Sequence, residues 1–256
     1  MTPAPSRRWT RVAIYYFFAL AVSFCVRVYG HETNPASPST SAWGLYWHLV
    51  GGIGPAIGAA VVMLFFGYRS AMSLGGTEPR LGLLMIATPA VVMGGIGLPN
   101  PFSVEPHLFG VHIGILITLY AILEELGWRG YLQDEFKART RILRYAIVGV
   151  FWYVWHLSFL KETTFVNEAV GLAILIAASI GIGFVADRTR SVLAAAAFHV
   201  IGNILGLTTD FRTLVPEGRF RLLIIAVCVV SWLLILRLWR VRDNRRQRIV
   251  GGQGSA

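Results

Sequence analysis

Residues 168–186 read EAVGLAILIAASIGIGFVA, a run with no charged residue after Glu168 and almost no polar one. A strand of a membrane barrel would alternate apolar and polar positions, and this run does not. Its length suits a membrane-crossing helix, which needs roughly 17–25 residues. Similar runs recur on both sides of it. Apolar stretches fall at 11–29, 45–67, 81–99, 108–128, 144–160, 168–186, 191–209 and 220–240. The expected fold is therefore all-α, a polytopic membrane bundle of eight transmembrane helices.

Composition agrees. The 256 residues are 55% hydrophobic and 14% charged, with mean hydropathy +0.60, against about 25% charged residues in soluble domains. The net charge of +10 does not point to nucleic acid, because the basic residues gather in the connectors. Arg237, Arg240, Arg242, Arg245, Arg246 and Arg248 crowd the exit of the last stretch, a pattern that suits an anionic lipid leaflet. Cys25 and Cys228 lie inside apolar stretches and read as packing residues, not as a disulfide or a thiolate metal site.

Charge also sets the expected orientation. With the N-terminus inside, cytoplasmic segments hold 18 of the 23 basic residues: Arg7, Arg8, Arg11, Arg69, Arg80, Arg129, Lys137, Arg139, Arg141, Arg144, Arg188, Arg190 and the six C-terminal arginines. Both termini are thus expected in the cytoplasm. The first stretch reads as a retained span, not a cleaved signal, since Ala19-Leu20-Ala21 lies inside its apolar core. Residues 1–10 form the cytoplasmic N-terminal segment, 11–240 one membrane domain with its catalytic core at 108–209, and 241–256 a basic, flexible tail. The segment His31 to Ser41 is a polar external loop. Pro55 and Pro89 are expected to kink the second and third spans.

Against this background a few polar residues stand out, because polar groups at membrane depth are costly and usually serve a wet cavity or a site. Glu125 and Arg129 are four apart, with the acid first, the favoured order for an ion pair on one helix face. Glu124 points about 100° away from Glu125, so the two carboxylates can do different work. Gly127 and Gly130 leave the helix surface open to close approach. His156 follows Trp152 by four residues, near the middle of the fifth stretch, and His199 and Asn203 share a face of the seventh. Each group alone is explained as well by a salt bridge or by helix-to-helix hydrogen bonding. At about 1.5 Å per residue, however, all four groups lie roughly 7–18 Å from the inner boundary. Together they supply a base, a second proton carrier and oxyanion donors, the kit for attack of water on an amide.

These residues resemble the three motifs of the CAAX-protease and bacteriocin-processing (CPBP, or Abi) family of intramembrane endopeptidases. The motifs are two glutamates, three residues and arginine (Glu124, Glu125, Arg129); an aromatic four before histidine (Trp152, His156); and histidine four before Asn or Asp (His199, Asn203). The aromatic is usually Phe, so Trp152 alters the pocket. The resemblance extends to the eight-helix fold of the prenyl-protein endopeptidase branch. It implies that Glu124 is general base on the attacking water, assisted by His156, with His199 and Asn203 stabilising the oxyanion and Glu125, Arg129 and Trp152 in support.

Glu124, His156 and His199 could also hold a divalent metal such as Zn²⁺. No His-Glu-x-x-His helix is present, and the roles above use every residue without a metal, so no cofactor is expected. The expected protein is an endopeptidase of a bacterial cytoplasmic membrane, acting on a membrane-associated peptide or protein. The competing readings are a non-catalytic scaffold, a bacteriocin-immunity protein and a proton-coupled transporter. The last would use Glu and His at similar depth, but no internal repeat is visible.

Overall fold

The computed structural model describes residues 5–26, 49–157, 163–205, 214–215 and 217–252. The helices in chain order are α1 (Pro5–Phe24), α2 (Ile53–Phe66), α3 (Pro79–Ile96), α4 (Pro106–Gly127), α5 (Arg141–Trp155), α6 (Phe165–Thr189), α7 (Val192–Leu205) and α8 (Arg219–Gly252). Among the described residues there is no strand, only an isolated bridge between Ser73 and Ser191. Among the described residues, four helices are long and apolar enough to cross a membrane: Pro79–Ile96, Pro106–Glu135, Phe165–Thr189 and Arg219–Arg245. Each apolar stretch of the sequence overlaps one of the eight helices. α2 and α7 have 14 residues each, a rise of about 21 Å against a hydrocarbon core of about 30 Å.

Helix starts follow local chemistry. Proline opens α3 and α4, where its missing N–H leaves no bond unmade. Glu105 accepts from the Leu108 N–H at 2.8 Å and Thr164 from the Asn167 N–H at 3.2 Å, capping α4 and α6. Pro55 falls in the first turn of α2, not in its interior, so the expected kink has no cause there. Pro89 does lie inside α3.

The end of α4 differs most from the sequence expectation. The helix does not stop near 128 but continues through a π-helical turn, Trp128–Leu132, to Glu135. The Trp128 N–H is shared between the carbonyls of Glu124 and Glu125. Arg129 is consequently no connector charge but a fully buried residue. The rod ends in a polar belt. Arg11 pairs with Glu135, and Asp134 accepts from the Tyr68 hydroxyl at 2.7 Å and the Ala71 N–H at 3.3 Å. Gln133 donates to Asp187 at 2.9 Å, which also receives Tyr145 at 2.6 Å and pairs with Arg144. Burial, and then the bond to Asp134, push the Tyr68 phenol far above its ordinary range, so it stays a donor. These contacts tie α1, the 67–78 connector, α5 and α6 to one point.

α7 runs through the middle of the bundle. Ala194, Ala195, Ala196 and Ala197 are all fully buried, and their small side chains let neighbouring helices close in. Only Arg190 and Ser191 separate α6 from α7, with Arg190 in a left-handed conformation, φ 56°. The first N–H groups of α7 would be orphaned, but Ser191 Oγ accepts from Ala194 at 3.1 Å, and the carbonyls of Ser73 and Leu74 accept from Val192 and Leu193 at 3.0 Å. α3, α4, α7 and α8 form one apolar core; α1, α2, the π turn, α5 and α6 form a second.

Cys228 belongs to the first core, whereas Cys25 is exposed and does not pack as expected. The N-terminal segment is helical from Pro5, and the C-terminal tail continues as helix to Gly252 instead of leaving the helix at 240. The expected external loop His31–Ser41 lies outside the described residues.

α3 and α4 meet at Gly110 and Gly114, a small-xxx-small pair. A Cβ on Gly110 would stand 2.2 Å from Met93 O, and one on Gly114 2.4 Å from Ala90 Cα. Gly114→Leu is expected to force the helices apart and to lower stability by at least the ~1–3 kcal/mol typical of overpacking, read as a lower unfolding temperature in detergent. The neighbouring change Ile115→Leu, at an exposed position, serves as the unaffected control.

Candidate active site

Glu124, Glu125 and Arg129 ride on the last turns of α4 and its π turn, with no exposed surface. The ion pair expected from spacing is present: Arg129 Nη1 donates to Glu125 Oε1 at 2.8 Å. The other guanidinium nitrogen, Nη2, donates to Ser179 Oγ at 3.1 Å, and Ser179 in turn donates to the Tyr145 carbonyl at 2.8 Å. Glu125 Oε1 receives a second donor, His199 Nδ1, at 2.7 Å. A carboxylate only accepts, so Nδ1 carries the hydrogen and Nε2 faces the other way, 3.9 Å from Glu124 Oε2.

Glu124 has a different set of partners. Its Oε2 accepts the indole N–H of Trp152 at 2.8 Å and that of Trp128 at 3.3 Å, while Oε1 has no donor. Trp152 also lies against the Arg129 guanidinium, 5.2 Å from its ring centroid, and edge-on to the His199 ring at 4.8 Å.

His156 is not in the middle of a helix. α5 ends at Trp155, His156 caps it, and Leu157 turns left-handed at φ 55°. The ring Nδ1 of His156 donates to the Trp152 carbonyl at 2.8 Å, beside the backbone N–H of the same residue at 3.3 Å, which makes Nε2 the acceptor nitrogen. Asn203, one turn after His199 on α7, donates from Nδ2 to the Ile117 carbonyl at 3.4 Å, which leaves its second N–H for another acceptor.

Trp152, His156, His199 and Asn203 line one cavity of about 690 Å³ between α5, α6 and α7, whose other walls are mostly apolar. Glu124 stands beside it, behind Trp152 and His199. All seven residues singled out in the sequence therefore belong to one connected region. Trp128 and Ser179 join them unforeseen. The i,i+4 spacing of Glu124 and Trp128 could have flagged the first; Ser179, the only hydroxyl in the run 168–186, could have flagged the second. Gly127 serves backbone approach, since a Cβ there would meet Pro55 at 2.4 Å; Gly130 faces no such contact.

The suggested metal donors do not assemble. Among the described residues no three His, Cys, Asp or Glu side chains are placed to share an ion.

Fold and site together define a multi-pass helical membrane protein with a buried acid–histidine centre beside an apolar cavity. Residues 106–205, which contain all three motifs, match the family profile described as type II CAAX prenyl endopeptidase, Rce1-like. The chain is also similar to CAAX prenyl protease 2 of Methanococcus maripaludis, at 30% identity over 53% of this chain; it spans 59% of that relative's length.

Removing Arg129 leaves Glu125 buried without its charge partner. Arg129→Met is expected to destabilise the fold by about 3–5 kcal/mol, and Ser179→Ala by about 1 kcal/mol, in detergent unfolding. Equal small losses for both would contradict a charge-paired core.

Proposed function

We propose that the protein is an intramembrane endopeptidase that hydrolyses a peptide bond in a membrane-associated peptide or protein, with eight spans and both termini in the cytoplasm of a bacterium. The observation that carries the chemistry is a buried carboxylate having one unpartnered oxygen, Glu124 Oε1, next to a cavity lined by two histidines and an asparagine. In this reading Glu124 takes a proton from water as the water attacks the carbonyl carbon, and the C–N bond later breaks as the nitrogen gains a proton. His156, with Nε2 as acceptor, assists that transfer.

Asn203 donates its second N–H to the oxyanion. His199, in its imidazolium form, donates from Nε2 while Nδ1 remains on Glu125. Glu125 and Arg129 hold His199 in that orientation. The mostly apolar wall of the cavity suits a lipid-associated or apolar substrate segment, and the order of the eight helices, with 17 of the 23 basic residues on the cytoplasmic side once the buried Arg129 is set aside, supports the topology. No step passes through a metal.

The test compares peptide termini in membranes bearing wild type, Glu124→Gln, His199→Ala or Asn203→Ala. Glu124→Gln is expected to lower turnover at least 10²-fold with the protein folded and inserted, and the oxyanion variants about 10²–10³-fold. Cleavage is expected to survive exhaustive treatment with a zinc chelator. A product pattern unchanged by Glu124→Gln would favour the scaffold or immunity reading; dependence of transport on a proton gradient would favour the transporter.

A further inference from the structure

Glu124 has three side-chain torsions, and a carboxylate free to rotate would present either oxygen to a reacting water. The structure removes that freedom through two indole N–H groups, one from the motif residue Trp152 and one from Trp128, which lies outside the three motifs. Both hydrogen bonds to Glu124 arrive on the same oxygen, Oε2, and both come from indole N–H groups: Trp152 on α5 at 2.8 Å and Trp128 in the π turn at 3.3 Å. An indole N–H is a donor only; it cannot take up or give back the proton being transferred, and it brings no counter-charge. Oε2 is thereby occupied, and Oε1 keeps its lone pairs.

The two rings are themselves immobilised. Trp152 lies between the Arg129 guanidinium and the His199 ring, and its carbonyl holds His156. Trp128 meets Tyr15 and Trp155 edge-on, with ring centroids 5.9 and 5.7 Å away. Both rings are buried. Trp152 in this way touches Glu124, Arg129, His199 and His156 at once.

We propose that the indole N–H groups of Trp152 and Trp128 act as a paired clamp on Glu124 Oε2 that directs Oε1 to the attacking water. The proposal rests on the reading of Glu124 as general base. Both tryptophans are positioning residues that act through Glu124: Trp128 lies away from the cavity, and Trp152, whose ring lines it, turns its N–H to Glu124. The Trp152 ring alone would fill space; its N–H is what sets the direction of the base.

Trp152→Phe and Trp128→Phe keep an aromatic ring and delete the N–H. Each is expected to lower kcat about tenfold or more, the scale of a hydrogen bond to a charged group, with KM unchanged. A residue that only shapes the cavity would move KM. Indole-¹⁵N NMR of the intact protein gives a readout that needs neither variant to fold. The Trp152 and Trp128 N–H signals of the wild type are expected downfield of an unbonded indole, and both are expected to move in Glu124→Gln. If Glu124→Gln is inactive while the Trp→Phe variants keep kcat, or the two indole signals ignore Glu124→Gln, the clamp is overturned and the base assignment stands. If Glu124→Gln cleaves as the wild type does, the base assignment falls and the clamp with it.

Discussion

Two carboxylates and one guanidinium are buried within six residues of one helix, and the surrounding helices answer that burden. Taking such ions out of water costs several kcal/mol apiece unless each finds good partners. Arg129 is satisfied by Glu125 within its own helix and by Ser179 on α6; Glu125 also receives His199 from α7, and Glu124 receives Trp152 from α5. Four helices are thus held in register by the needs of three charged side chains. The π turn that follows keeps Trp128 next to Glu124 while the rod runs on to the polar belt at Asp134 and Glu135.

The same constraint explains the build of α7. A helix that must bring His199 within 2.7 Å of a buried glutamate has to sit among its neighbours, not beside them. Its run of buried alanines allows that approach, and its first N–H groups are taken up by the Ser73–Leu74 segment and by Ser191. The short end of α5 serves the site in a comparable way. Stopping at Trp155 turns His156 back onto the Trp152 carbonyl and brings its ring to the cavity wall. Rigid support of this kind is what a reaction centre needs, since a small misplacement of a base or donor is costly in rate.

The two adjacent glutamates differ in the chemistry of their partners. Glu125 Oε1 takes the Arg129 guanidinium and His199 Nδ1. Glu124 Oε2 takes two indole N–H groups, and in the proposed reaction its Oε1 accepts the proton. Neighbours of different chemistry, not distance in sequence, separate their roles.

Relations within a single helix were determined by the sequence alone. A repeat of 3.6 residues places Glu125 over Arg129 and turns Glu124 away, whatever packs around them. The all-helical class followed from apolar runs too long and too uniform for strands. Relations between helices were decided only by the tertiary structure. Nothing in Trp-His-Leu-Ser announces that α5 ends at Trp155, because neither Gly nor Pro marks the break and the His156 ring adds its own bond to the Trp152 carbonyl. Likewise Arg129 reads as a boundary charge, since its burial depends on Ser179 some 50 residues later. The direction of Glu124 is set by Trp152, 28 residues along the chain, whose N–H has a meaning only once α4 and α5 are packed.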